Sequence, residues 1–151
     1  MRRGVRIGID VGKVRVGVAR SDPDGQLAVP VETLARGAGD IKSIVGLVGE
    51  YEAIEILVGL PLSLSGEEGP AAAGAREYAH ELALAADPVP VRLIDERLST
   101  AQAQRGLSEV GRSTRQSRSV VDQAAAVIIV QHALEAERAA GRPVGTTVGT
   151  S

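Results

Sequence analysis

The chain has 151 residues, 44% of them apolar, which suits one domain with one substantial core. It has no cysteine and two distant histidines, His80 and His132, which excludes disulfides, thiolate chemistry and a histidine-rich zinc site, and fits a reducing cytoplasm. The net charge of −2 and the absence of Phe and Trp argue against a coat protein held by phosphate charge or by base stacking, and leave backbone and shape as what a nucleic-acid enzyme could read. Val5, Ile7 and Ile9 alternate with small or polar neighbours and predict a strand, so no signal peptide is expected. Val16 and Val18 continue the pattern after a turn through Gly12 and Lys13, giving a hairpin partner. Leu27, Val29 and Val31 suggest a third strand after the turn-forming stretch 21–25. Asp40 reads as the N-cap of a helix carrying Ile41, Ile44, Val45 and Val48 on one face. The run from Ala53 to Val58 predicts a buried strand. Pro70 suits the first turn of a helix whose core face is Ala75, Tyr78, Ala79, Leu82 and Ala86. Val89, Val91 and Leu93 predict a further strand, Ser99 with Gln102 a capping box opening a helix, and a last helix spans about Val120 to Ala140. Its apolar run from Ala124 to Val130 is seven residues, far short of the roughly 20 that cross a bilayer, so no membrane association is expected. The order predicts a mixed sheet with helices on both faces, in one domain over 1–140, with 141–151 a disordered tail.

Three acidic positions stand at the ends of these elements. Asp10 closes the first strand in GIDVGKVRVGVARSD. Gly12 lets the backbone come close to a phosphate or a metal, and Lys13 and Arg15 supply positive charge nearby. A solvated hairpin turn is the plainer alternative. Asp95 and Glu96 end a strand in DERLST, so one points toward a site and the other away; Glu96 is taken as the inward acid, and alternation alone does not decide. Arg97 could grip a phosphate through its fork, and Ser99 and Thr100 open a helix, where anions are favoured. Asp122 stands at the expected start of the last helix, where capping would also explain an acid. It follows Arg112, Arg115 and Arg118, a run that is either a solvated loop or a clamp on substrate backbone.

Carboxylates about 4 Å apart repel by roughly 4 kcal/mol at an effective dielectric of 20. Three of them together therefore call for a cation. Mg²⁺ or Mn²⁺ on such oxygens can prime water against a phosphodiester. No nucleophile elbow or Walker motif offers another mechanism.

The segments GIDVGKVRVGVARSD, VGLPLSLSGEEG, DERLST and VDQAAAVIIVQ, in that order, closely resemble the YqgF/RuvX family of pre-16S rRNA nucleases, also described as Holliday junction resolvases. The resemblance spans about Gly4 to Leu134. It implies a ribonuclease H-like α/β fold with a five-stranded mixed sheet flanked by helices, the acids meeting where the first and fourth strands lie side by side. It also implies Asp10, Glu96 and Asp122 as catalytic and metal-holding acids, and Gly59, Leu60 and Pro61 as the loop after the fourth strand. Lys13 stands where the family commonly has a small or hydroxyl residue. The function implied is a cytoplasmic, metal-dependent nuclease acting on pre-16S rRNA, with the small ribosomal subunit as a partner, or on branched DNA. A monomer and a homodimer both stay open. Two other classes compete: a nucleotide-binding module, since Asp-x-Gly also opens the phosphate loop of two-domain ATPases, and a non-catalytic ribosome-assembly factor.

Overall fold

Alternation of apolar and small residues builds the centre of the sheet. In the computed structural model β1 (Arg6–Val11) pairs antiparallel with β2 (Arg15–Ser21), placing Ile9 opposite Val18 and Asp10 opposite Gly17. β3 (Ala28–Ala35) extends the hairpin outward, with a register shift at Val18–Ala19. α1 (Asp40–Tyr51) crosses back so that β4 (Glu55–Leu60) runs parallel to β1, and α2 (Pro70–Ala86) carries the chain to β5 (Val91–Asp95), parallel to β4. One 3-10 turn, Glu96–Leu98, ends β5; α3 (Arg115–Ala140) and β6 (Thr146–Thr147) follow. The structure describes residues 1–37, 39–98 and 115–149, with backbone alone for 98 and 115–121.

The sheet order is β3-β2-β1-β4-β5-β6. The five-stranded sheet expected from the resemblance thus gains a sixth strand, a two-residue edge pairing Thr147 with Arg92 and Thr146 with Leu93. Such a short strand is held by backbone bonds and leaves no side-chain pattern to read. Odd-numbered β1 residues, Ile7 and Ile9, face the core under α1 and α2 with Val18, Ile44, Tyr78 and Leu82. The other face packs Ala19, Leu57 and Ile94 against Ala126, Ile129 and Val130 of α3. Period-2 alternation therefore sends even-numbered β1 residues, Asp10 among them, toward α3.

Three element ends differ from the sequence reading. Gly39, in the left-handed region at φ 98°, caps α1, and Asp40 is its first helical residue, buried and bonded to the Tyr78 hydroxyl at 2.8 Å. β3 runs four residues past Val31, because an edge strand tolerates polar Glu32 and Thr33. α3 begins at Arg115, so Asp122 lies two turns inside the helix and does not cap it.

At the far end of the sheet from Asp10, three arginines meet two carboxylates. Arg6 donates to Glu137 at 2.9 Å, Arg2 bonds both Glu137 and Glu55, and Arg92 reaches Glu55 at 3.2 Å. Arg6, Glu55 and Glu137 are buried. This network ties the start of β1 and β4 to the last turns of α3.

Candidate active site

Glycines open the space in which the acids sit. Gly8, Gly17 and Gly59 form a patch of bare backbone on the α3 face of β1, β2 and β4. A β-carbon on Gly8 would strike Val130, and one on Gly17 would strike the Asp122 backbone carbonyl and come within 3.1 Å of its Cβ. On Gly59 it would lie 2.5 Å from Glu96 Oε1 and 2.6 Å from Ile129 Cδ1. The helix stripe Asp122, Ala126, Ile129 and Val130 rests on this bare surface, and close approach of α3 to the sheet depends on it. Gly12 is constrained differently: its N–H donates to the Arg15 carbonyl at 2.9 Å, and a side chain there would meet that oxygen at 2.7 Å. Tight closure of the turn, rather than approach to a ligand, demands glycine at this position.

Asp10 is 1% exposed and lies one residue beyond the Ile9–Val58 pair, beside Gly59. Glu96 is fully buried, with its carboxylate over the same glycine. Two carboxyls thus flank Gly59 at the junction of β1, β4 and β5. Burial, with the charge of Asp95 added, pushes the Glu96 carboxyl up to about 7. Asp95 faces the other way. Arg97 donates to it from Nη2 at 2.7 Å, from Nε at 3.1 Å and from its backbone N–H at 2.9 Å, which holds its carboxyl below the usual range. Of the two acids that alternation could not separate, Glu96 is the buried one and Asp95 is the one bonded by Arg97.

Asp122 sits half-buried over Gly17, with Arg15 Nε 3.4 Å from its carboxylate. Gln123, the next residue, donates from Nε2 to Thr33 Oγ1 at 2.9 Å and fixes this part of α3 over β3. Lys13 is exposed at the tip of the β1–β2 turn. The Arg97 guanidinium, besides holding Asp95, donates to the Leu64 carbonyl at 3.3 Å and lies beneath Gly66, so it staples the loop after β4 to the end of β5. Gly59 and Leu60, expected in that loop, are the last residues of β4, and the loop begins at Pro61. Arg115 and Arg118 lie on the first turns of α3, where only the backbone is described; Ser99, Thr100 and Arg112 fall outside the described residues.

The three acids expected to share a metal are not equivalent here. Asp10 and Glu96 are both buried in the neighbourhood of Gly59, while Asp122 is half-buried with Arg15 at its carboxylate. Among the described residues no three His, Cys, Asp or Glu side chains come together as a cation site. Two hard oxygen donors still suit Mg²⁺, which takes one or two carboxylates and completes its shell with water and substrate phosphate. The buried Glu96, reluctant to ionise alone, fits a partner of positive charge. Among the described residues no helix is long and apolar enough to cross a membrane.

Strand order and helices on both faces of the mixed sheet give a ribonuclease H-like fold. Among solved structures the chain is similar to Thermus thermophilus RuvC in complex with a Holliday junction substrate, with a TM-score of 0.55 at 18% identity over 93% of this chain and 99% of that one. At that identity the likeness establishes the fold alone. The profile described as RuvX, Holliday junction resolvase, matches residues 4–136. The chain is 56% identical to a Nocardioides protein over 98% of both chains, and 55% identical to a Streptomyces coelicolor protein over 98% of this chain and 90% of that one. A Thermobifida fusca protein is 53% identical over 98% of both. All three carry the name "Putative pre-16S rRNA nuclease". The chain belongs to the RuvX family.

Proposed function

We propose that this protein is a divalent-metal-dependent nuclease that trims the 5′ end of precursor 16S rRNA during ribosome maturation. The observation that carries the reading is the pair of buried carboxyls, Asp10 and Glu96, on either side of Gly59. The names of the curated relatives support the substrate. Asp10 and Glu96 would hold Mg²⁺ or Mn²⁺, which when bound supplies an activated water and neutralises the leaving oxygen. Arg15 pairs with Asp122, and a substrate phosphate would compete for that guanidinium at the edge of the site. Lys13, with Arg112, Arg115 and Arg118, would neutralise the backbone on either side of the scissile link. Ser99 and Thr100, after the Glu96–Leu98 turn, complete the proposed substrate contacts. Arg97 acts from behind by keeping Asp95 away from the centre. The reaction belongs in the cytoplasm, in line with a chain free of cysteine, and the small ribosomal subunit would present the RNA.

Branched DNA is a second reading, favoured by the family description as a Holliday junction resolvase. The test compares a precursor 16S leader with a four-way junction in one buffer, with and without Mg²⁺, for wild type and Asp10→Asn. Metal-dependent cleavage of the leader is the expected result, abolished in Asp10→Asn. Faster cleavage of the junction would transfer the assignment to DNA. Full activity of Asp10→Asn on both would refute the site.

A further inference from the structure

We propose that Arg36 is a positioning residue for the reaction centre, locking the β1–β2 turn, and through it Asp10, to the helices on the opposite face of the sheet. The inference rests on the reading of Asp10 given above. Arg36 follows the last residue of β3 and bonds the turn twice. Its backbone N–H donates to the Val14 carbonyl at 2.8 Å, and its Nη1 donates to the Gly12 carbonyl at 2.8 Å. The same guanidinium lies over the ring of Tyr78, 5.5 Å from its centroid. Tyr78 is buried in α2, and its hydroxyl donates to Asp40 Oδ2 at 2.8 Å. Asp40 is itself buried at the start of α1 and accepts from the Gly37 N–H at 3.3 Å. A continuous series of contacts therefore runs from α1 through α2 to Gly12, two residues from Asp10.

The turn needs such an anchor. Lys13 and Val14 stand out in solvent, Val14 at 66% exposure, and the turn closes on itself through the Gly12–Arg15 bond. A carboxyl that must meet a cation and an incoming phosphate within a few tenths of an ångström cannot sit beside a loose hinge. Arginine suits the task because its planar fork reaches a carbonyl while its face lies on a ring; lysine, a point charge, does one or the other. Arg36 is itself exposed, so its replacement leaves the core intact.

The test uses the full chain. In the metal-free protein, amide exchange at Gly12 and Arg36 should speed up about tenfold in Arg36→Ala, the loss of one charge-assisted hydrogen bond, with no change in β4 or β5 and little change in melting temperature. Tyr78→Leu, which removes the ring, should loosen the turn in the same way. Tyr78→Phe, which keeps it, should leave the turn protected. With metal and RNA, Arg36→Ala and Arg36→Lys should both lower kcat about tenfold at unchanged KM. Wild-type exchange at the turn in Arg36→Ala would overturn the proposal. So would a raised KM at unchanged kcat, since Arg36 would then be a substrate contact. A wild-type protein inactive on both RNA and branched DNA would refute the nuclease reading instead, and the exchange result would still decide whether Arg36 holds the turn.

Discussion

Gly17 is where β2 omits a side chain so that Asp122 can come down onto the sheet. Adding one methyl, Gly17→Ala, would push it into the Asp122 carbonyl. Overpacking of this kind costs about 1–3 kcal/mol and here displaces a catalytic candidate. Cleavage by Gly17→Ala should fall by far more than the urea midpoint suggests, and equal losses of the two would remove Asp122 from the site. Glu96 makes a separate prediction at the same scale. Its carboxyl titrates near 7 in the fold against an ordinary 4.5, so the native state binds the proton more tightly than the unfolded chain does. Metal-free stability is therefore highest below about pH 4.5 for this group and is lost as pH rises through 7, by about 3 kcal/mol at most. Glu96→Gln should flatten that decline in melting temperature between pH 5 and 8. Mg²⁺ should stabilise wild type more at pH 8 than at pH 5.5. An identical decline in Glu96→Gln would show that another group titrates there.

Arg97 shows how an element places an acid by removing its neighbour. It ties the end of β5 to the loop after β4 and takes Asp95 with it. Arg97→Ala should return the Asp95 carboxyl, read by carbon NMR, upward toward its ordinary value, and should loosen residues 62–68 in amide exchange. An unmoved Asp95 resonance would mean that the pair contributes nothing in solution. At this scale the legible part of the fold was the part built on apolar rhythm. Val5, Ile7 and Ile9 announce β1, Ala75 through Ala86 announce the buried face of α2, and Pro70 marks where that helix starts. What could not be read depends on partners distant in sequence. The α3 face of the sheet is bare because Gly8, Gly17 and Gly59 come from three strands, and nothing local in any of them says that a helix rests there. The first turns of α3 are polar and arginine-rich, so the start at Arg115 leaves no apolar period, and Asp122 looks like a cap. Arg36 carries no signal at all, because its role exists only once β3 ends beside Gly12.

Across the whole molecule both ends of the sheet hold buried charged side chains. The end near Arg6 is matched: Glu55 and Glu137 meet Arg2, Arg6 and Arg92. Removing one partner strands the others, so Glu137→Ala should lower unfolding free energy by about 3–5 kcal/mol in urea titrations while the folded fraction keeps its cleavage rate. A stability within about 0.5 kcal/mol of wild type would mean that the network is solvated rather than structural. The end near Asp10 gathers carboxyls, Asp10 and Glu96, at a junction where β1, β4 and β5 converge. Two hard oxygen donors beside one glycine are the reason to look for a cation there. Titration of Mn²⁺ into the full chain by calorimetry, for wild type, Asp10→Asn, Glu96→Gln and Asp95→Asn, tests it most directly. The expected result is binding that Asp10→Asn and Glu96→Gln each abolish and Asp95→Asn keeps; wild-type affinity in Asp10→Asn would contradict a cation site on these acids.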